Sequence, residues 1–323
     1  MIKKERKEPL ILRQLLALKT RLPSNHPKLP SINDHIKRYS AGYKGECSID
    51  YYLSLLNEKD YCILHDLRLA DSPNYFQMDT LILSKRFALI LEVKNFTGEL
   101  YFDSIFHQLI QKKEDGIKVF ADPLLQLQRQ ESQFEKWLLN NGFCALPIFS
   151  VVVIANTQTK ISTDQENTDV SEKVIHREFL PIKLKQIERF NKTIFLQEGE
   201  IKKLTRLILK QHTPHYSSIL KKFQIAETEL LKGVKCPKCG DLPLLRIHSN
   251  WYCKQCHSKH KDAHLQSLQE YYLLMNSSIT SSKLREFINI SSYPLATRIL
   301  KSLNLSSLGR TKGRVYQLKD KEC

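Results

Sequence analysis

No stretch of this 323-residue chain is apolar for long. The longest runs, such as Ser150-Val151-Val152-Val153-Ile154-Ala155, fall far short of the roughly 20 residues a membrane helix needs, so no membrane span or membrane partner is expected. Nor is a secretory leader expected. The opening MIKKERKEPLILRQLLALKT carries charge, but its apolar part is short, interrupted by Arg13 and Gln14, and not followed by a small-residue cleavage site. It reads as an amphipathic helix in a cytoplasmic protein. Internal repeats and long low-complexity runs are absent. With 41% hydrophobic residues the chain is not a disordered tail, and its length suits two or three domains.

Negative charge is in short supply: 34 Asp and Glu face 50 Lys and Arg, a net +16. A surplus of that size attracts a polyanion through solvent, and nucleic acid, DNA first, is the expected partner. The surplus is uneven, with 16 Lys and Arg against 6 Asp and Glu in residues 232–323. Protein partners are unspecified, and homo-oligomerisation is left open. A disulfide framework is also not what the eight cysteines describe. Four fall in two C-x-x-C pairs, which points to metal, and the other four are scattered as reduced cytosolic thiols are.

Along the chain, Leu10–Leu18 and a proline-interrupted stretch to Pro30 read as a lead-in arm. Apolar neighbours at i+3 and i+4 predict a helix over Gly42–Leu56, with Gly42 and Gly45 at its start. Short β-branched and aromatic runs follow at Tyr61–Leu67, Phe76–Leu83 and Phe87–Val93, then at Gly98–Phe102 and Ile117–Phe120, which reads as a β-meander. Pro123 opens a helix to Asn140. Ile148–Ala155 has the unbroken apolar character of a strand buried on both faces. Asn156–Ser171 reads as a loop, and Ile201–Gln211 and Ser217–Leu231 as closing helices.

The most informative stretch is Gln77-Met78-Asp79-Thr80, a tight connection, then Leu91-Glu92-Val93-Lys94. Residues two apart on a strand share a face, so Glu92 and Lys94 project together while Val93 points to the opposite layer. An antiparallel turn around Ser84-Lys85-Arg86 brings Asp79 beside Glu92. Two hard oxygen ligands with open positions suit Mg²⁺, and a nearby Lys can orient or deprotonate an attacking water. The competing reading is a partly exposed ion-pair ladder. Against it, Glu92 ends an apolar run, where an unpaired charge is costly to bury.

Gly42-Tyr43-Lys44-Gly45-Glu46, Gln77-Met78-Asp79-Thr80, Leu91-Glu92-Val93-Lys94-Asn95 with Gly98 after it, and Asp122-Pro123-Leu124-Leu125-Gln126 together resemble the NERD (nuclease-related) domain, a branch of the PD-(D/E)xK, restriction-endonuclease-like superfamily. The resemblance spans roughly residues 30–145. It implies that Asp79 and Glu92 are ligands of Mg²⁺ or Mn²⁺, with the Val93 carbonyl completing the inner shell, and that Lys94 activates water or stabilises phosphate. Glu46 would be the extra acidic residue of the site and Gln126 the polar residue near the substrate phosphate. Their alternatives are a solvent-facing helix carboxylate and a capping amide.

Cys236-Pro237-Lys238-Cys239-Gly240 and Cys253-Lys254-Gln255-Cys256 form C-x2-C-x13-C-x2-C. Four thiolates close a tetrahedral site with no open position, so a bound Zn²⁺ is structural. The segment resembles a zinc ribbon, with a hairpin over Leu244–Ile247 and Asn250–Tyr252. His248, His257, His260 and His264 stand nearby as substitute ligands. Farther on, Ser281–Ile288, a polar break and Tyr293–Leu303 have a helix-turn-helix layout, and Gly309-Arg310-Thr311-Lys312-Gly313-Arg314 resembles the wing of a winged helix. That resemblance implies DNA contacts from Ser292, Thr297, Arg298 and Lys301 on the third helix and from Arg310, Lys312 and Arg314 on the wing.

The expected fold class is therefore α/β, with a restriction-endonuclease-like αβββαβ core, a small four-cysteine zinc ribbon and a C-terminal winged helix-turn-helix. The expected division is a 1–35 N-terminal arm, a 36–212 nuclease-like domain, a 213–232 helical linker, a 233–264 zinc ribbon and a 265–323 winged-helix-like domain. The expected activity is metal-dependent DNA hydrolysis. The alternatives are a non-cleaving DNA-binding or regulatory protein on a degenerate nuclease scaffold, and a scaffold for an acidic protein.

Overall fold

The computed structural model describes residues 1–143, 146–164, 167–311 and 313–320. In chain order it forms β1 (Ile2–Lys4), α1 (Leu10–Arg21), α2 (Leu29–Cys47), α3 (Asp50–Ser54), β2 (Cys62–Asp71), β3 (Asn74–Leu83), β4 (Ala88–Lys94), β5 (Glu99–Asp103), β6 (Gln108–Lys113), β7 (Gly116–Ala121) and α4 (Pro123–Asn140). Then come β8 (Ile148–Ile154), β9 (Lys160–Thr163), α5 (Thr168–Lys173), β10 (Val174–His176), α6 (Leu180–Phe190), α7 (Glu198–Gln211) and α8 (Ile219–Phe223). The last part has β11 (Leu245–Ile247), β12 (Asn250–Tyr252), β13 (Lys259–His260), α9 (His264–Leu274), β14 (Ser278–Thr280), α10 (Ser281–Ile288), α11 (Tyr293–Ser302), β15 (Ser307–Leu308) and β16 (Val315–Gln317). These divide into two units: Met1–Glu8 with Ser40–His215, and Pro9–Tyr39 with Tyr216–Cys323.

The first unit is a mixed sheet in the order β1-β2-β3-β4-β8-β10. Strands β2, β3 and β4 form the expected antiparallel meander, and α4 returns the chain so that β8 lies parallel to β4, pairing Glu92 with Val152 and Lys94 with Ile154. Apolar side chains cover both faces, as a central parallel pair requires. Ile82, Leu89, Leu91, Val93, Val151 and Val153 pack against Ile49, the residue before α3, Leu53 of α3, and Leu184 and Ile187 of α6. Leu81, Leu83, Ala88, Ile90, Val152 and Ile154 pack against Leu127, Phe134 and Trp137 of α4 and Leu204 and Ile208 of α7.

Three expectations change here. Gly42–Leu56 is not one helix, because α2 starts earlier, at Leu29, and ends at Cys47, with α3 separate. The 156–171 loop contains β9, which pairs parallel to β5 in a second sheet ordered β7-β6-β5-β9. That sheet includes β6, whose polar Gln108 and Gln111 hide its β pattern; Gln111 is buried by donating to the Thr97 carbonyl. The closing helix over 217–231 shrinks to α8, because Gln224 turns left-handed at its C-cap.

In the second unit the N-terminal segment is not an arm. Leu15 and Leu18 of α1, Ile32 of α2, Ile219 and Phe223 of α8 and Leu273 and Leu274 of α9 share one core. Arg21, fully buried, donates through Nε to Glu270 at 2.5 Å and through Nη1 to the Leu231 and Gly233 carbonyls. The cysteine-rich hairpin and the helices after it also share a core, which runs from Cys236, Leu244 and Trp251 to Leu284, Phe287, Ala296 and Leu300. No core boundary falls at residue 264. After α9 the order is β14, α10, α11, β15, β16, with the three strands in a sheet ordered β14-β16-β15.

Candidate active site

Strand β3 pairs with β4 so that Thr80 faces Leu91. One residue farther, Asp79 and Glu92 come together at the end of the ladder. The site lies at a backbone irregularity. Asp66 of β2, in register with Asp79, has φ 48°, a left-handed value unusual for a side-chain-bearing residue. The inward parity of both strands changes there, since Leu64 is followed by Leu67 and Leu69, and Met78 by Leu81 and Leu83, all in one core. Such re-aiming of side chains beside an irregularity is a frequent property of functional strands.

Glu92 is only 4% exposed. One of its oxygens accepts from Lys94 Nζ at 2.7 Å and the other from Gln130 Nε2 at 2.9 Å. Lys94 also donates to Gln126 Oε1 at 3.1 Å. Asp79 is half-buried and accepts from the Val93 amide at 2.9 Å. Its carboxyl is pushed well above the ordinary range, first by burial, then by the charges of Glu92 and Glu46, against the opposing pull of the Val93 amide and Lys94. The Val93 side chain lies in the opposite core, as the strand period requires.

The helix carrying Glu46 comes close because Gly45 has no side chain: a Cβ there would lie 2.6 Å from Asn95 Cβ, and Asn95 Nδ2 donates to the Ala41 carbonyl at 2.7 Å. On the other side Asp122 caps α4 by accepting from the Leu124 amide, with Pro123 at the first helical position. This fixes the first turns of the helix from which Gln126 and Gln130 reach the strand. The five expected site residues, Glu46, Asp79, Glu92, Lys94 and Gln126, thus converge.

Glu46 is not a free carboxylate. Buried Arg6 donates to it at 2.9 Å and to Asp50, Thr80 and His65 as well. Burial raises the Glu46 carboxyl; Arg6 opposes this, while Asp66 and Glu92 add to it. Arg6 and Gln130 are the residues that sequence reasoning missed. Gln130 had a findable signal, since it lies one helical turn after Gln126. Arg6 had none, lying 40 residues from Glu46 in a run of surface-like charges.

Among the described residues, one group brings three or more His, Cys, Asp or Glu ligand atoms within 4.8 Å of one another, and it is Cys236, Cys239, Cys253 and Cys256. The Sγ separations of 3.7 Å for Cys236–Cys256 and 3.5 Å for Cys239–Cys253 approach the roughly 3.8 Å edge of a tetrahedron with 2.3 Å Zn–S bonds. The cluster fits zinc. Both knuckles end in a left-handed residue, Gly240 (φ 81°) and His257 (φ 58°). Burial works against a Cys236 thiolate, but the amides of Cys239 and Lys238 and the Ser258 hydroxyl outweigh it and bring the thiol down to about 5. The expected hairpin is β11–β12. His257 pairs with Tyr252 and His264 with Trp251, while His260 reaches Ser258, 3.7 Å from Cys236.

Of the expected DNA contacts, Arg298, Lys301 and Arg310 are exposed. So is Ser292, and two of the expected residues also make contacts within the fold. The Ser292 hydroxyl accepts from the Leu295 amide as the cap of α11, and Thr297 turns inward to Ser281 at 3.1 Å. Arg314 donates to the Gly309 carbonyl across the turn. Lys312 lies outside the described residues.

Residues 41–155 match the family model of the nuclease-related domain, NERD. This stretch runs from just before the Gly-Tyr-Lys-Gly-Glu motif through β8 and includes every one of the converging residues, so the chain carries a nuclease-related domain. No curated protein and no solved structure matches the chain. Among the described residues, no helix is long and apolar enough to cross a membrane.

Proposed function

We propose that the chain is a divalent-metal-dependent nuclease that hydrolyses DNA phosphodiesters on a PD-(D/E)xK-type site, with a structural zinc and a winged-helix-like DNA-binding module in its second unit. The observation that carries the reading is the convergence of Asp79, Glu92 and Lys94. Two carboxylates meet at a strand end, one of them raised by burial and by that proximity, and an ammonium stands 2.7 Å from the other. Carboxylate oxygens with charge to spare suit Mg²⁺ or Mn²⁺. Asp79 and Glu92 would hold the ion, joined by the Val93 carbonyl.

A bound ion would supply Lewis acidity, making a water more acidic and offsetting charge on the phosphate. The chain's own groups do the positioning. Gln130 and Lys94 fix both oxygens of Glu92 while leaving each a free lone pair. Lys94, steadied by Gln126, presents a proton donor and a positive charge to the scissile phosphate, where charge builds in the transition state. Arg6 holds Glu46 in place and favours its ionised form, and the charge of that extra carboxylate raises Asp79. In the second unit, the order α9-β14-α10-α11-β15-β16 supports the winged-helix reading, with Arg298, Lys301, Arg310, Lys312 and Arg314 meeting phosphates and bases.

The test is cleavage of supercoiled plasmid and of linear and single-stranded DNA by zinc-loaded protein with Mg²⁺, Mn²⁺ or neither, beside Asp79→Asn and Glu92→Gln. Metal-dependent cleavage that both variants lose is the expected result. DNA that is bound but intact in every lane would instead leave a DNA-binding protein on a nuclease scaffold.

A further inference from the structure

Strand β8 is paired along only part of one side. All of it lies beside β4, but β10 reaches only Val152, Val153 and Ile154. Backbone hydrogen bonds fix which groups face the uncovered stretch. The Pro147 carbonyl accepts from the Ala88 amide, and the Ala155 amide donates to the Lys94 carbonyl, so the odd-numbered residues here turn their backbone groups toward β4. The even-numbered ones turn theirs the other way. Val152 and Ile154 meet β10 there. Before them, the Ile148 carbonyl and the Ser150 amide point the same way, an acceptor beside a donor, and no strand among the described residues pairs with them. Backbone groups in such a position need a partner from outside the sheet.

The uncovered stretch lines a cavity of about 720 Å³ that α4, α5 and α6 complete, a volume typical of small-ligand sites. It is short for a peptide strand, since Ile148–Val151 spans about 13 Å at 3.3 Å per residue and β10 occupies the lane beyond. Phe149, Ile187 and Phe190 give the cavity an apolar wall. Phe190, at the end of α6, is 84% exposed, which leaves an aromatic face for a flat ring to cover. Lys183 and Arg189, from the same helix, form no ion pair among the described residues. Lys173 is already matched: it lies 3.6 Å from Glu131, which also accepts from the Ser150 hydroxyl. Glu172 is the one other acid of the cavity.

We propose that this cavity binds a purine nucleotide, with the edge of the base on the Ile148 carbonyl and Ser150 amide, its face against the aromatic wall, and its phosphates on Lys183 and Arg189. A purine base carries a donor beside an acceptor on its pairing edge, and its face stacks on an aromatic side chain. Inorganic phosphate would use the two cations alone, and an apolar ligand the wall alone. A nucleotide uses the wall, the cations and the backbone pair together. The site is separate from the carboxylates and lysine of the nuclease-related domain, since Ser150 is in register with Ile90, two residues before Glu92. The proposal therefore stands whether or not the chain cleaves DNA.

The test is isothermal titration calorimetry of full-length, zinc-loaded protein, without other divalent metal, using ADP, GDP, adenosine and inorganic pyrophosphate. Proteins compared are the wild type, Lys183→Ala and Arg189→Ala, with urea midpoints verifying the fold; both side chains lie outside the core. ADP or GDP should bind at one per chain, and about ten-fold or more tighter than either pyrophosphate or adenosine, because each of those lacks one half of the recognition. Each variant should weaken the nucleotide by about ten-fold, the worth of one hydrogen bond to a charged group. Failure of both nucleotides to bind overturns the proposal. Pyrophosphate bound as tightly as the nucleotide removes the base from the site and overturns it too, as does wild-type affinity in either variant, which puts the phosphates elsewhere. A valine-rich pentapeptide that binds where neither nucleotide does would overturn it in favour of a strand added to β8.

Discussion

Gly42 and Gly45 both lie in α2, yet alanine at the two positions should act in opposite directions. A Cβ at residue 42 meets nothing within 4 Å, whereas one at residue 45 lies 2.6 Å from Asn95 Cβ. That is about 1 Å inside ordinary carbon contact, and a Cβ cannot rotate away. Gly42→Ala should therefore gain the helix-propensity difference, about 0.8–1.0 kcal/mol. Gly45→Ala receives the same gain but adds overpacking that costs about 1–3 kcal/mol, for a net loss of up to about 2 kcal/mol. The helix must retreat by about 1 Å beside Lys94, a displacement that costs on the order of 10²-fold in rate when it reaches reacting groups. Urea unfolding of both variants, with plasmid cleavage rates alongside, makes the comparison. If Gly45→Ala matches Gly42→Ala in stability and cleaves at the wild-type rate, the close approach of α2 to the strand end does not build the site.

Other consequences follow from single groups. His65 is pushed down to about 3, by burial first and then by Arg6 and Lys4, and its Nδ1 accepts from Arg6. The unfolded chain takes up a proton near pH 6.5 that the folded one refuses, so stability present above that pH falls as pH drops toward 3, by up to about 1.4 kcal/mol per pH unit; His65→Gln should flatten that limb of the urea-midpoint profile. For Asp79 the sign reverses. Its raised carboxyl makes ionisation unfavourable in the folded state, so Asp79→Asn should melt higher than the wild type at neutral pH, and added Mg²⁺ should stabilise the wild type alone. A melting temperature that Mg²⁺ raises equally in both would remove Asp79 from the metal site. Zinc should be present at one per chain by elemental analysis, and chelation should abolish the Trp251 near-ultraviolet signal, since Cys236 and Cys253 share a core with Leu284 and Phe287; a zinc-free protein with that signal intact would contradict a structural role.

What the sequence discloses here is mostly local. Asp79, Glu92 and Lys94 are legible because a tight turn and a two-residue period place them together, and the four cysteines because two knuckles repeat one spacing. Strands β9 and β10 are short, and their partners are distant, so no local pattern marks them. The alternation of β2 and β3 is readable only on either side of Asp66 and Asp79, where the parity slips. The membership of Leu15, Leu18 and Ile32 in a core with Ile219 and Leu273 depends on pairings over most of the chain, and an amphipathic helix does not announce its partner. Ser292 and Thr297 show how one residue type can carry two readings. A hydroxyl at a helix start or on its face reads equally as a DNA contact or as a cap, and here the backbone and Ser281 claim them.

The division of labour between carboxylates and lysine is the central claim, and Lys94→Ala separates the two. The measurement is a titration of Mn²⁺ by electron paramagnetic resonance, paired with the rate of plasmid cleavage at saturating Mn²⁺. Lys94→Ala should bind Mn²⁺ at least as well as the wild type, because it removes a positive charge 2.7 Å from Glu92, while its cleavage rate should fall by on the order of 10²-fold or more. Cleavage by Lys94→Ala at the wild-type rate would contradict the account.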